Sequence, residues 1–311
     1  MKLISFSKNK NIKVGVLEGD KVYDLHSIDP NIKDNMIDFI KGGKNQLSLA
    51  KNAVNKNNSF LQKDEVEILS PVPNPPSVRD AYAFRQHVET ARKNRGLDMI
   101  PEFDEIPIFY FTNHHAVFGE GNLKVQKLHS EKLDFELECA AVIGKHGKNI
   151  SVEEADSYIY GFMIMNDLSA RALQMQEMKM NLGPAKGKDF GSTFGPYLIE
   201  KSELEEYRKK SSKGDRYDLQ MRAYVNDIKV SEDTLANMSW TFAQIIQRVS
   251  YGVEIFPGDI IGSGTCGTGC FLELNGSKIT DNQWLNSGDT VSLEIEALGT
   301  LKNTIIVDND I

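Results

Sequence analysis

Leu133-Asp134-Phe135-Glu136-Leu137-Glu138-Cys139-Ala140-Ala141-Val142-Ile143-Gly144 reads as a strand that begins with acidic residues on one side and ends apolar on both. Strand side chains alternate between faces, so Glu136 and Glu138 point the same way, roughly 7 Å apart at Cα, while Phe135, Leu137 and Cys139 point the other way. The run into Ala140, Ala141, Val142 and Ile143 is interior composition, which places the two glutamates at the mouth of a core. Unpaired carboxylates there would repel each other and resist leaving water, and an oxygen-preferring divalent cation removes both costs. Taken by itself, Glu-x-Glu is more readily a half-exposed strand with a solvated polar face.

Partners for this strand lie on both sides of it. Upstream, Arg79-Asp80-Ala81-Tyr82-Ala83-Phe84-Arg85-Gln86-His87 offers a carboxylate and a histidine. Downstream, a second apolar strand from Tyr160 to Met165 runs into Asn166-Asp167-Leu168-Ser169-Ala170-Arg171, followed later by Gly187-Lys188-Asp189-Phe190-Gly191 and Phe271-Leu272-Glu273-Leu274. From about Arg79 to the C-terminus this series resembles the fumarylacetoacetate hydrolase family, with its motifs in family order. There a Glu-x-Glu pair and an Asn-Asp-x-Ser-Ala-Arg segment build a divalent-metal site. The resemblance implies a β-rich α+β fold, a β-roll or sandwich catalytic domain (71–311) behind a small N-terminal α/β domain (1–70).

It also assigns roles. An Asp-x-Tyr-x-x-Arg-Gln-His pattern supplies a metal ligand and a general base in members that hydrolyse a carbon–carbon bond, and it is matched at Asp80, Tyr82, Arg85, Gln86 and His87. Asp80, Glu136, Glu138 and Asp167 would be the metal ligands, His87 the base and Glu273 its orienting partner. Lys188 (rather than Lys186), Arg171 and Gln174 would face developing charge, and Tyr82, Tyr110 and Thr265 the substrate. Gly191 and Ser192 match positions near the metal. An all-carboxylate set suits one hard cation, Mg²⁺ first, with Ca²⁺ or Mn²⁺ as alternatives. The implied reaction is hydrolysis of a β-diketo acid of the fumarylacetoacetate or acylpyruvate type. The rival readings are decarboxylation, isomerisation or hydration of an oxo acid, and a metal-dependent acid-binding protein without turnover. Family members are commonly homodimers, so a homodimer is expected.

Composition sets outer bounds. The chain has 311 residues, 40% hydrophobic and 26% charged, with a net charge of -8. These values suit a soluble globular protein, and the absence of a basic stripe argues against a phosphate-backbone partner. No apolar run approaches the roughly 18 residues of a membrane span, and no signal-peptide core follows Met1, so a cytoplasmic protein is expected. Cys139, Cys266 and Cys270 are odd in number, without paired zinc spacing, and read as small buried hydrophobes.

The remaining segments read as scaffold. Strands are expected over 3–6, 13–17 and 21–25, the last two joined across Glu18-Gly19-Asp20. An apolar helical cluster at Met36, Ile37, Phe39 and Ile40 and a second helix over 44–55 follow. Pro71, Pro73, Pro75 and Pro76 then force an extended path, taken as the domain boundary. Further on, a helix is expected over 81–94 with Asp80 just ahead of it, so that Asp80 and His87, seven positions apart, can lie along one face. Ser151-x-x-Glu154 reads as a capping box for a helix over 152–160, and a helix over 169–180 places Arg171 and Gln174 together. A loop over 182–191, a hairpin of 217–225 and 228–231 turning at Asn226-Asp227, and a helix over 240–249 capped by Ser239 complete the outline. Gly262-Ser263-Gly264-Thr265-Cys266-Gly267 satisfies G-x-G-x-x-G, but an alternating segment expected to be a strand, carrying Glu273, follows it rather than a helix, so the nucleotide reading is rejected.

Overall fold

The computed structural model describes residues 1–56 and 59–308. Strand Leu137–Ile143 is buried along its whole length. Leu137, Cys139, Ala141 and Ile143 enter one core and Ala140 and Val142 a second. Coverage on both faces is what calls for a near-continuous apolar run. The strand pairs antiparallel with Ile159–Asn166 on one side and Ile260–Gly262 on the other. Ser192–Glu200, Lys2–Lys8, Asn11–Glu18, Lys21–Asp24 and Leu61–Gln62 extend the sheet beyond the first neighbour, and Val78–Ala81 and Phe109–Thr112 beyond the second. A five-stranded sheet, ordered Ile228–Thr234, Gln220–Val225, Thr290–Ile295, Gly299–Asp308 and Gly121–Gln126, shares the first core through Ala223, Leu293 and Ile305. The fold is the expected β-rich α+β arrangement.

The three N-terminal strands form as expected, and helices Met36–Lys41 and Gly43–Lys56 follow. Lys2 and Leu3 pair with Ile199 and Leu198, so the sheet continues from these strands into the rest of the chain. Leu3, Val14 and Val16 share a core with Ala140, Val142 and Leu198. Between Ile68 and Val78, where the prolines lie, the chain carries no helix or strand. At the hairpin, Asn226 and Asp227 both have positive φ, 51° and 62°, the left-handed pair that a two-residue turn between twisted strands requires.

Several expected elements differ. No helix covers 81–94: Val78–Ala81 is a strand parallel to Ile260–Gly262, with Asp80 opposite Gly262, and the helix spans Arg85–Lys93. Asp80 and His87 therefore converge from a strand end and a first helical turn, not along one helix face. Glu273 lies on the helix Phe271–Gly276 rather than a strand. Thr241, not Ser239, caps the helix Phe242–Ser250, because only Thr241 has a glutamine three residues on to complete a capping box. The helix after Ser151 is α-helical over Val152–Ala155 and runs on as a 3-10 turn over Asp156–Tyr158, and the Ser151 hydroxyl faces the Glu154 carboxylate instead of capping the backbone. The helix expected over 169–180 spans Arg171–Met178. Among the described residues, no helix is long and apolar enough to cross a membrane.

Candidate active site

The carboxylates gather at the ends of three strands of the large sheet, two of them separated by Ile260–Gly262. Glu138 lies on the central strand, Asp80 on Val78–Ala81, and Asp167 just beyond Ile159–Asn166. One oxygen from each lies within 4.8 Å of the other two, and all three residues are buried. Gly262 makes this approach feasible, since a Cβ there would stand 2.4 Å from Asp80 Oδ1 and 3.0 Å from Glu138 Oε2. Burial, then the facing Asp167, pushes the Asp80 carboxyl up to about 8; burial, then Asp80, pushes Glu138 well above the ordinary carboxylate range. Glu138 Oε2 has no hydrogen-bond partner among the described residues, and the Thr265 hydroxyl stands 3.4 Å from Oε1. A buried trio of mutually repelling oxygen donors, one of them orphaned, fits a hard divalent cation.

Glu136 lies in the short break between Leu133–Asp134 and the central strand. Its carboxylate accepts from Arg171 Nη2 at 2.7 Å and from Lys188 Nζ at 2.5 Å. Burial alone would raise its pKa, but Lys188 and Arg171 overcome that and hold it at about 2. Lys188 Nζ also donates to Asp167 Oδ2 at 2.6 Å and lies 3.3 Å from the Asp167 carbonyl, so its three N–H bonds face protein oxygens. It can sit inside because Gly187 presses against the backbone at Gln174, where a Cβ would be 2.7 Å from Gln174 N. Lys186 is exposed and pairs with Asp189. Tyr110 donates to Asp167 Oδ2 at 2.5 Å; burial, then Asp167, keeps its hydroxyl protonated far above the usual phenol range.

His87 and Glu273 meet 186 positions apart in sequence, with Nδ1 2.7 Å from Oε2, both buried. The Tyr82 ring stands edge-on to the imidazole at 5.8 Å between centroids. The cavity these residues face has a volume of about 1200 Å³. Asp80, Tyr82, His87, Tyr110, Glu136, Arg171, Gln174, Lys188 and Thr265 line it, with apolar walls at Phe109, Met175 and Leu272. Glu138, Asp167 and Glu273 lie directly behind that lining. The twelve residues given metal, catalytic or substrate roles in the sequence are thus brought to one place, whereas Arg85 points away and pairs with Asp104.

Asp134 was missed. It is fully buried, accepts from Arg171 Nε at 2.8 Å, and takes the backbone N–H groups of Phe271 and Leu272 at 2.7 and 2.9 Å. One side chain thereby fixes both Arg171 and the start of the helix that carries Glu273. The signal was present in Asp134-Phe135-Glu136-Leu137-Glu138, whose three acids alternate together.

The family described as "Fumarylacetoacetate (FAA) hydrolase C-terminal" matches residues 77–306. A mitochondrial oxaloacetate tautomerase of Xenopus laevis is 27% identical over 98% of this chain and 90% of its own length. The oxaloacetate tautomerase YisK of Bacillus subtilis (strain 168) is 28% identical over 92% of this chain and 89% of its own. Among solved structures, the fumarylacetoacetate hydrolase of psychrophilic Exiguobacterium antarcticum shares the fold at a TM-score of 0.73 and 23% identity, covering 99% of this chain and 100% of that one. A maleylpyruvate hydrolase of Sphingobium sp. SYK-6, in complex with manganese(II) ion and pyruvate, does so at 0.73 and 18%, with the same coverage. With more than half of its length matched by the family's C-terminal region, this chain belongs to the fumarylacetoacetate hydrolase family of enzymes.

Proposed function

We propose that the protein is a divalent-cation-dependent enzyme of short 1,3-dicarbonyl acids, and that its reaction is keto–enol tautomerisation of oxaloacetate or a close analogue. The buried His87–Glu273 pair, 2.7 Å apart on the wall of the cavity that the carboxylates approach, carries this reading. Full-length similarity to oxaloacetate tautomerases supports it. A hard cation held by Asp80, Glu138 and Asp167, with Glu136 beside them, would polarise the 2-oxo group and acidify the neighbouring C–H. Mg²⁺ is the first choice, and the manganese complex of a related fold supports the class of ion.

The chain's own residues supply the proton transfer. With Nδ1 committed to Glu273, Nε2 of His87 takes a proton from C3, and the Glu273 carboxylate steadies the resulting imidazolium. The ring returns that proton to the enolate oxygen, so none is gained or lost. Gln174 accepts from Arg171 Nη1 through its amide oxygen at 3.0 Å, which leaves its NH₂ for a substrate oxygen. Arg171 and Lys188, engaged with Asp134, Glu136 and Asp167, hold those carboxylates in register. Tyr82 fixes the plane of the imidazole.

Hydrolysis of a carbon–carbon bond in a β-diketo acid is the second reading, and the cavity favours it, since about 1200 Å³ far exceeds a four-carbon acid. There His87 would deprotonate water instead of carbon. Enol-oxaloacetate and a panel of acylpyruvates, each with and without cation, separate the two. Tautomerisation should dominate, and His87→Ala should lower it by about 10²- to 10⁴-fold while calorimetric cation binding is unchanged. Cleavage of acylpyruvates without tautomerisation would replace the first reading by the second, and binding without product on the whole panel would leave a non-catalytic acid binder. Full activity in His87→Ala would remove the base from both mechanisms.

A further inference from the structure

Cys270 has no part in the chemistry above, yet it stands beside the base. His87, Cys270 and Glu273 bring one nitrogen, one sulfur and one oxygen donor within 4.8 Å of one another, all buried. This set differs in kind from the oxygen-only trio of Asp80, Glu138 and Asp167. Oxygen donors select hard ions such as Mg²⁺, whereas a thiol with an imidazole and one carboxylate selects a borderline ion such as Zn²⁺. Zinc bonds of about 2.0 to 2.3 Å place tetrahedral donors roughly 3.3 to 3.8 Å apart, so His87 Nδ1 and Glu273 Oε2, now 2.7 Å apart, have to part by about 0.6 Å (3.3 less 2.7) to admit an ion between them. His87 lines the cavity and gives an ion its way in.

We propose that His87, Cys270 and Glu273 form a second, inhibitory cation site for Zn²⁺-class ions, separate from the carboxylate site. Binding exchanges the Cys270 S–H for an S–metal bond, that proton leaving to solvent, while the Nδ1 proton now shared with Glu273 moves to Nε2, which frees the Nδ1 lone pair and the Glu273 carboxylate for the ion. Burial keeps the free thiol protonated far above its ordinary range, so Cys270 is inert until such an ion arrives. The base is then unavailable although the hard-cation site stays filled. The inhibition rests on His87 acting as base; the binding does not.

Two measurements on the full chain, saturated with Mg²⁺, separate those parts. Added Co²⁺ should give a thiolate-to-cobalt charge-transfer band that Zn²⁺ abolishes, that is lost in Cys270→Ala and Cys270→Ser, and that is kept in Cys139→Ala and Cys266→Ala. Zn²⁺ should inhibit turnover of the wild-type protein, and Cys270→Ala should require at least about tenfold more Zn²⁺, since losing even an outer partner of a metal ligand costs 10- to 100-fold in affinity. Absence of the band from the wild-type protein, or its persistence in both Cys270 variants, overturns the site. Equal Zn²⁺ inhibition of wild type and Cys270→Ala overturns its inhibitory role. Should no substrate be turned over, the proposed function fails while the cobalt band still decides the site.

Discussion

Gly262→Ala tests the carboxylate cluster without removing any of its oxygens. The new Cβ would lie 2.4 Å from Asp80 Oδ1, 2.8 Å from Met165 Sδ and 3.0 Å from Glu138 Oε2, where ordinary contact begins at 3.4 Å. The Asp80 oxygen must therefore retreat by about 1 Å (3.4 less 2.4). Its backbone cannot move to accommodate this, because Asp80 is registered opposite Gly262 and its Oδ1 accepts from Gly264 N at 3.1 Å. The side chain has to turn away from Glu138 and Asp167. Overpacking of this kind costs about 1 to 3 kcal/mol of stability. A hard-cation site with one ligand displaced by about 1 Å should lose on the order of 10- to 100-fold in affinity. Titration calorimetry with Mg²⁺ and Mn²⁺, beside thermal melts in chelator, reads both quantities. Wild-type affinity for both ions in the folded variant would show that Asp80, Glu138 and Asp167 do not share a cation.

Other outcomes follow from the same geometry. Gly276→Ala would put a Cβ 2.2 Å from Asn94 Nδ2 and wedge the helix of Glu273 from that of His87, so kcat should fall about 10²-fold with KM little changed. Adding Asn94→Ala should restore most of the loss, and failure to do so would place the defect elsewhere. The raised pKa values of Asp80 and Glu138 mean that the native metal-free protein prefers them protonated, so stability present at about pH 4 should be lost as pH rises through about 8. Melting temperatures in chelator should decline across that window and be restored by Mg²⁺, and a flat or rising profile in chelator would contradict it. Ile108 and Phe111 are 57% and 64% exposed on and beside the edge strand Phe109–Thr112, so light scattering should find a dimer that Phe111→Lys weakens. A monomeric wild type would end that expectation.

What could be read from the sequence was what neighbours in the chain decide. Ala140 to Ile143 are apolar on both faces and could only be an inner strand, and Asn226-Asp227 could only turn a hairpin. The helix of Glu273 was hidden for a physical reason. Phe271-Leu272-Glu273-Leu274 alternates like a strand, and it coils because Asp134, 137 positions earlier, accepts its first N–H groups. The strand that holds Asp80 was likewise hidden, and the residue was set just ahead of a helix, because the strand Ile260–Gly262 that claims it lies 182 residues on. The roles given to Asp80, Glu136, Glu138 and Asp167 came through the family resemblance. The different environments of Glu136, between two cations, and Glu138, with none, needed the folded chain.

The position of Ile260–Gly262, inserted between Val78–Ala81 and Leu137–Ile143, bears on the order of assembly. A chain emerging from its N-terminus makes both flanking strands long before the one that joins them, so the middle of the sheet closes late, across large loops whose entropy must be lost first. Asp80 and Glu138 cannot face each other until then. Folding should accordingly be slow and governed by long-range contacts, and a ribosome-stalled chain ending before residue 260 should expose both flanking edges to chaperones.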